Sequence, residues 1–228
     1  MPARARLATA IGVGGSVLCV AWAAASESPG SFASPLAGAL AIAGLVANVV
    51  SAEWDEQYSV GGSFVASMLA VAFIGPGPAF AVAAVAEIGA WIVQRYRLRV
   101  LPINVLSSGG ANLAAGEVFL LIGARDAGRP TFFLALAAVA SLALLVNALV
   151  VTTLISGLHG GRLVPHLRGF QDLAVPMAIT VLMTVGVAAV YRATGLGGAL
   201  LVLSGILAYT YMARLVITAR ERTRQYAA

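Results

Sequence analysis

Residues 131–156 read TFFLALAAVASLALLVNALVVTTLIS, a run of 26 positions without one charged side chain. A helix that crosses the hydrocarbon core of a bilayer needs about 20 mainly apolar residues. This run therefore predicts a transmembrane helix. Comparable runs lie on both sides of it, at 7–25, 36–52, 59–75, 79–94, 103–123, 173–191 and 198–217. The whole chain predicts an all-α, polytopic helical membrane bundle of about eight transmembrane helices.

Composition points the same way. Of the 228 residues, 60% are apolar and 10% are charged, and the mean hydropathy is +0.93. A soluble domain usually carries about 25% charge. Fourteen basic and nine acidic side chains are too few to cover a water-exposed surface of this size. A soluble enzyme and a disordered chain are both excluded by this balance. Every basic residue is arginine, which removes lysine Schiff-base and Walker-type lysine chemistry. Cys19 is the only cysteine, so no disulfide can form within one chain.

The arginines test the span count. With a cytoplasmic N-terminus and eight crossings, Arg4, Arg6, Arg95, Arg97, Arg99, Arg162, Arg168, Arg214, Arg220, Arg222 and Arg224 face the cytoplasm. Only Arg125, Arg129 and Arg192 fall outside. Cytoplasmic loops carry an excess of Lys and Arg, so both termini are expected to be cytoplasmic. This placement reads as membrane topology rather than as a nucleic-acid surface. A cleaved secretory signal ending near Ala23-Ala24-Ala25-Ser26 would leave seven spans, but the first apolar run is longer than a usual signal core. The expected organisation is one integral membrane domain, 1–228, whose last residues, 218–228, form a short basic cytoplasmic tail.

Candidate functional residues are the polar groups inside apolar runs. Glu87 and Glu117 are the acidic residues set well inside, and a buried charge in a membrane marks a functional position by default. Ala79 and Ala83 precede Glu87 at four-residue spacing, a small-residue stripe that lets a neighbouring helix approach. The fifth run carries Asn104, Ser107, Ser108, Gly109, Gly110, Asn112 and Glu117. On a regular helix Asn104, Ser108 and Asn112 share one face, while Gly110 and Glu117 share another. The adjacent glycines suggest a helix broken at membrane depth, where transporters expose backbone to substrate. The expected ligand-binding residues are Glu87, Asn104, Ser108, Asn112 and Glu117; the competing reading is helix packing held by polar contacts. Asn147, Thr152 and Thr153 are expected to serve as helix–helix contacts.

Other features are weaker. Glu53, Asp55 and Glu56 read as a solvated cytoplasmic turn, and His159 and His166 do not make a zinc set with one distant cysteine. Gly195-Leu196-Gly197-Gly198 reads as a tight outer turn. Phe73-Ile74-Gly75 and Leu121-Ile122-Gly123, each followed by an Ala/Val-rich helix, form an internal echo of the kind left by a repeat. No Gly-x-Ser-x-Gly or His-Glu-x-x-His pattern is present, and no metal or cofactor is called for.

The order Gly62-Ser63-Phe64, Gly75-Pro76, Ala81 to Ala86, Arg95 to Arg99 and Leu101-Pro102-Ile103-Asn104 resembles the membrane input region that precedes the output domains of bacterial diguanylate cyclases and HD-type phosphohydrolases. The resemblance covers about a fifth of the chain and departs at the end, where no catalytic domain is expected after Ala228. It implies a small-molecule-binding sensor in the bacterial inner membrane, with a membrane or cytoplasmic protein partner. A weaker resemblance, to the substrate-binding subunits of vitamin transporters, implies transport. Those subunits have about six spans, fewer than expected here. A structural membrane subunit is the third reading.

Overall fold

The structure is a computed structural model that describes residues 3–50, 53–55, 58–59, 62–123, 126, 129–159 and 170–227. Apart from one small ladder these residues are helical, as the apolar runs predict. The helices are α1 (Ala3–Ser26), α2 (Pro29–Phe32), α3 (Pro35–Val50), α4 (Gly62–Phe73), α5 (Pro76–Gln94), α6 (Leu101–Asn104), α7 (Ala111–Leu121), α8 (Pro130–His159) and α9 (Phe170–Ala227). A π-helical turn, Val105–Gly110, joins α6 to α7. The exception is an antiparallel pair, β1 (Glu53–Asp55) with β2 (Tyr58–Ser59), where the sequence predicts only an acidic turn.

Among the described residues, four helices are long and apolar enough to cross a membrane: Ala3–Ser26, Pro76–Gln94, Pro130–Leu158 and Ala174–Ala208. The outward faces of three of them agree, with Leu18, Leu134, Leu182 and Leu201 each more than 70% exposed. In water such a girdle would be an aggregation surface, whereas lipid is its natural solvent. The chain is a membrane protein.

Helix ends follow local chemistry. The expected start of α5 at residue 79 moves back to Pro76, because proline at the first helical positions needs no amide partner and is already set at helical φ. Three glycines end helices with positive φ: Gly75 at 154°, Gly123 at 65° and Gly195 at 72°. A Cβ is disfavoured at each of these angles. Gly195 divides α9 into limbs 170–194 and 196–227. Packing shows that the second limb turns back along α4, since Tyr191 stacks on Phe73 while Ile206 lies beside Gly62.

Within the run expected to span at 59–75, the helix is short and enclosed by protein. Helix α4 has 12 residues, about 18 Å at 1.5 Å per residue. Its consecutive residues Val65 to Ala72 are all buried. It is a sheathed central helix, packed by α3, α5, α7 and α9, and the main core forms around it. The following turn is buried as well, from Gly75 to Phe80. Gly116 of α7 lies against Pro76, so closely that a Cβ there would stand 2.8 Å from the Pro76 Cα.

Candidate functional site: a polar cluster around Glu87

Helices α3 and α5 come together through small residues. A Cβ on Gly44 would meet Val82 at 3.5 Å and Ala86 at 3.8 Å, and Gly89 receives the Leu45 side chain. One turn beyond Gly44, this close approach carries Asn48 onto α5. Its amide donates to the Ala86 carbonyl at 3.1 Å and also hydrogen-bonds the Glu87 carboxylate. Ala79 and Ala83, the stripe leading to Glu87, are buried as expected, and Glu87 itself is half-buried.

The π-helical turn supplies the opposite wall. Such turns are rare and concentrate at functional sites. Here the Asn104 carbonyl accepts the hydroxyls of Ser107 at 3.0 Å and Ser108 at 2.8 Å. The Ser108 hydroxyl also reaches the Glu87 carboxylate, so one proton serves two acceptors. Gly109 allows the wide turn to sit on Phe80, whose ring would lie 2.8 Å from an added Cβ. The helix is widened at the paired glycines instead of being broken there.

Tyr96 closes the cluster. Arg95 ends α5 in the left-handed conformation, φ 55°, with its amide on the Trp91 carbonyl at 2.9 Å. That reversal folds Tyr96 back, and the Trp91 indole donates to its carbonyl at 3.0 Å. The Tyr96 hydroxyl donates to the Glu87 backbone carbonyl and accepts from the Asn104 amide, both at 3.4 Å. Burial, together with the neighbouring Glu87 carboxylate, pushes the Tyr96 phenol up to about 12. It therefore acts as a neutral hydrogen-bonding group. In comparisons with family models, curated proteins and solved structures, nothing matches this chain.

Three of the five expected binding residues, Glu87, Asn104 and Ser108, thus meet at one place. Asn112 does not join them. The π turn rotates the helix beyond it, so the expected common face of Asn104, Ser108 and Asn112 ends at Ser108. Asn112 instead enters the core, where it is 1% exposed and its amide donates to the Ser67 hydroxyl at 2.8 Å. Its Oδ1 has no hydrogen-bond partner among the described residues. Glu117 lies elsewhere too: it accepts the Trp22 indole at 2.8 Å, on the face that Gly110 also turns towards α1.

Asn48, Trp91 and Tyr96 join the cluster although they are not among the expected binding residues. Asn48 was a polar residue near the end of an apolar run, a detectable signal. Tyr96 had none, because it stood inside a basic stop. Thr152 is buried and Thr153 is exposed, so only the first of these threonines faces the protein. Glu56 and His166 lie outside the described residues, and among those described no group of His, Cys, Asp and Glu could hold a metal. A cleft of about 240 Å³ lined by Ile122, Gly123, Asp126, Arg129, Thr131 and Ala135 lies at the far end of α7 and includes none of the expected residues.

Proposed function

We propose that this protein is a non-enzymatic input module of the bacterial inner membrane that binds a small molecule at the Glu87 cluster and passes the signal through its C-terminal helix. One observation carries the reading: α5 holds a single carboxylate onto which α3 and the π-helical turn each place a polar side chain, in a bundle with almost no internal charge. A carboxylate at membrane depth is costly, and simple packing would not need two further elements to bring hydrogen bonds to it. A ligand entering between α5 and the π turn would shift both. The second limb of α9 runs 32 residues from 196 to 227, about 48 Å, long enough to extend a movement beyond the bilayer.

In this reading the chain crosses eight times with both termini cytoplasmic. The packing of Gly157 in α8 against Ala8 and the Arg4 carbonyl supports it, because it gathers arginine-rich ends on one side. Labelling tests the topology. In a Cys19→Ala background, Ser28→Cys is expected to react with a membrane-impermeant maleimide on intact cells. Leu98→Cys, 64% exposed in the structure, is expected to react only after permeabilisation. The reverse pattern would invert the topology.

Native mass spectrometry of the full chain released from detergent tests the binding claim. A co-purified small-molecule adduct is expected on the wild type and is expected to be lost in Glu87→Gln and weakened in Ser108→Ala. A bare wild-type mass, or an adduct that both variants retain, counts against the reading. Transport is the second reading, favoured by the π-helical turn beside an intramembrane carboxylate. Uptake of the identified adduct by proteoliposomes separates the two.

A further inference from the structure

The ligand class follows from the groups that surround Glu87, and the inference rests on the binding reading above. The side chains on the carboxylate, from Asn48 and Ser108, are neutral. Arg129 pairs with Asp126, remote from this cluster. The built-in neighbours therefore leave a single negative charge without a cationic counterpart among the described residues. Two aromatic residues stand on the same end of α5. Trp91 is four residues beyond Glu87 and shares its helix face, and Tyr96 is folded back over the same turn.

A carboxylate with a phenol beside it and an indole on the same helix face matches an organic cation, since aromatic faces attract ammonium groups and do so more strongly away from water. The hydrogen bonds decide what kind of cation. Asn48 presents an N–H to the acceptors on α5, and Asn104 presents an N–H to the Tyr96 hydroxyl. A metal ion needs oxygen lone pairs, so these amides would have to turn round to serve as ligands. An R–NH3+ group needs acceptors for its own N–H bonds, and the Glu87 carboxylate and Tyr96 oxygen provide them. Both Tyr96 contacts measure 3.4 Å, at the long end of hydrogen bonding. A donor that displaced the phenol slightly would give up little.

We propose that the cluster of Asn48, Glu87, Trp91, Tyr96, Asn104 and Ser108 is a recognition site for a primary organic ammonium group, which pairs with Glu87 and lies against Trp91 and Tyr96. A hydrogen-bonded charge pair in such a site makes Glu87→Gln weaken binding by about tenfold or more. Trp91→Leu keeps an apolar side chain on the helix and weakens binding by several-fold.

The test is calorimetric titration of the purified full chain in detergent with butylammonium chloride, with sodium chloride and 1-butanol in parallel. Saturable butylammonium binding is expected, weakened in Glu87→Gln and in Trp91→Leu, with no comparable heat from sodium or butanol. Trp91→Leu keeps the test decisive if Glu87→Gln does not fold. Equal binding of butanol, preferred binding of sodium, no butylammonium binding, or full affinity in a folded Glu87→Gln each overturns the proposal. Should butylammonium fail while a Glu87-dependent adduct is seen by mass spectrometry, the ammonium class falls and the binding site stands. An adduct independent of Glu87 removes both.

Discussion

Gly116→Val is expected to destabilise the fold by about 3 kcal/mol, the upper end of typical overpacking costs. The reason is the identity of the neighbour. A Cβ at Gly116 would stand 2.6 Å from the Pro76 Cβ and 2.8 Å from its Cα. The Pro76 ring cannot rotate away, and its backbone is the start of α5. The same turn is held by Gly75, whose φ of 154° excludes most side chains. Relief at Gly116 would therefore require α7 and α5 to separate, which would also spread the walls of the Glu87 cluster. Gly186 provides the control, because nothing lies within 4 Å of a Cβ built there. Gly186→Ala is expected to be neutral or to stabilise by up to about 1 kcal/mol through helix propensity. SDS denaturation in mixed micelles, followed by tryptophan fluorescence, measures both.

Phe132→Ala is expected to cost about 3–5 kcal/mol in the same assay, the usual range for removing a buried phenylalanine ring. Phe132 is 1% exposed and stands at the centre of an aromatic group. Its ring centroid lies 5.6 Å from Phe73, 5.6 Å from Phe119 and 5.2 Å from Phe133. Tyr191 continues the group at 4.5 Å from Phe73, and Arg192 lies over Phe133. The cluster joins α4, α7, α8 and the first limb of α9 at the end where Gly75, Gly123 and Gly195 turn the chain. A neighbouring void loses dispersion contacts inside a bilayer as it does in water. Phe132→Leu, which keeps most of the volume, is expected to lose much less. An equal loss for both variants would show that the ring–ring geometry matters more than the filled space.

The helices were readable because their signal is local. A run such as 131–156 has to be helical at membrane depth, where each backbone amide needs a partner within its own segment. The same locality exposed Glu87, Asn104 and Ser108, since a polar side chain stands out in an apolar run. It failed for Asn112. Spacing of four assumes a regular helix, and the π-helical turn over Val105–Gly110 breaks that register. The burial of α4 was not legible either, because apolar composition alone does not separate a lipid-facing helix from one enclosed by protein.

Sequence alone determined that the chain lives in a membrane, where its helices run and on which side its arginines are expected to gather. Those properties follow from residue hydropathy and charge summed over short windows. The tertiary structure decided which polar residues meet. Asn48 reaches Glu87 across 38–39 positions because Gly44 and Gly89 let two helices touch. Tyr96 returns to the Glu87 backbone carbonyl because Arg95 adopts a left-handed angle. Close approach and chain reversal depend on pairs of distant residues, and no window along the sequence contains both members.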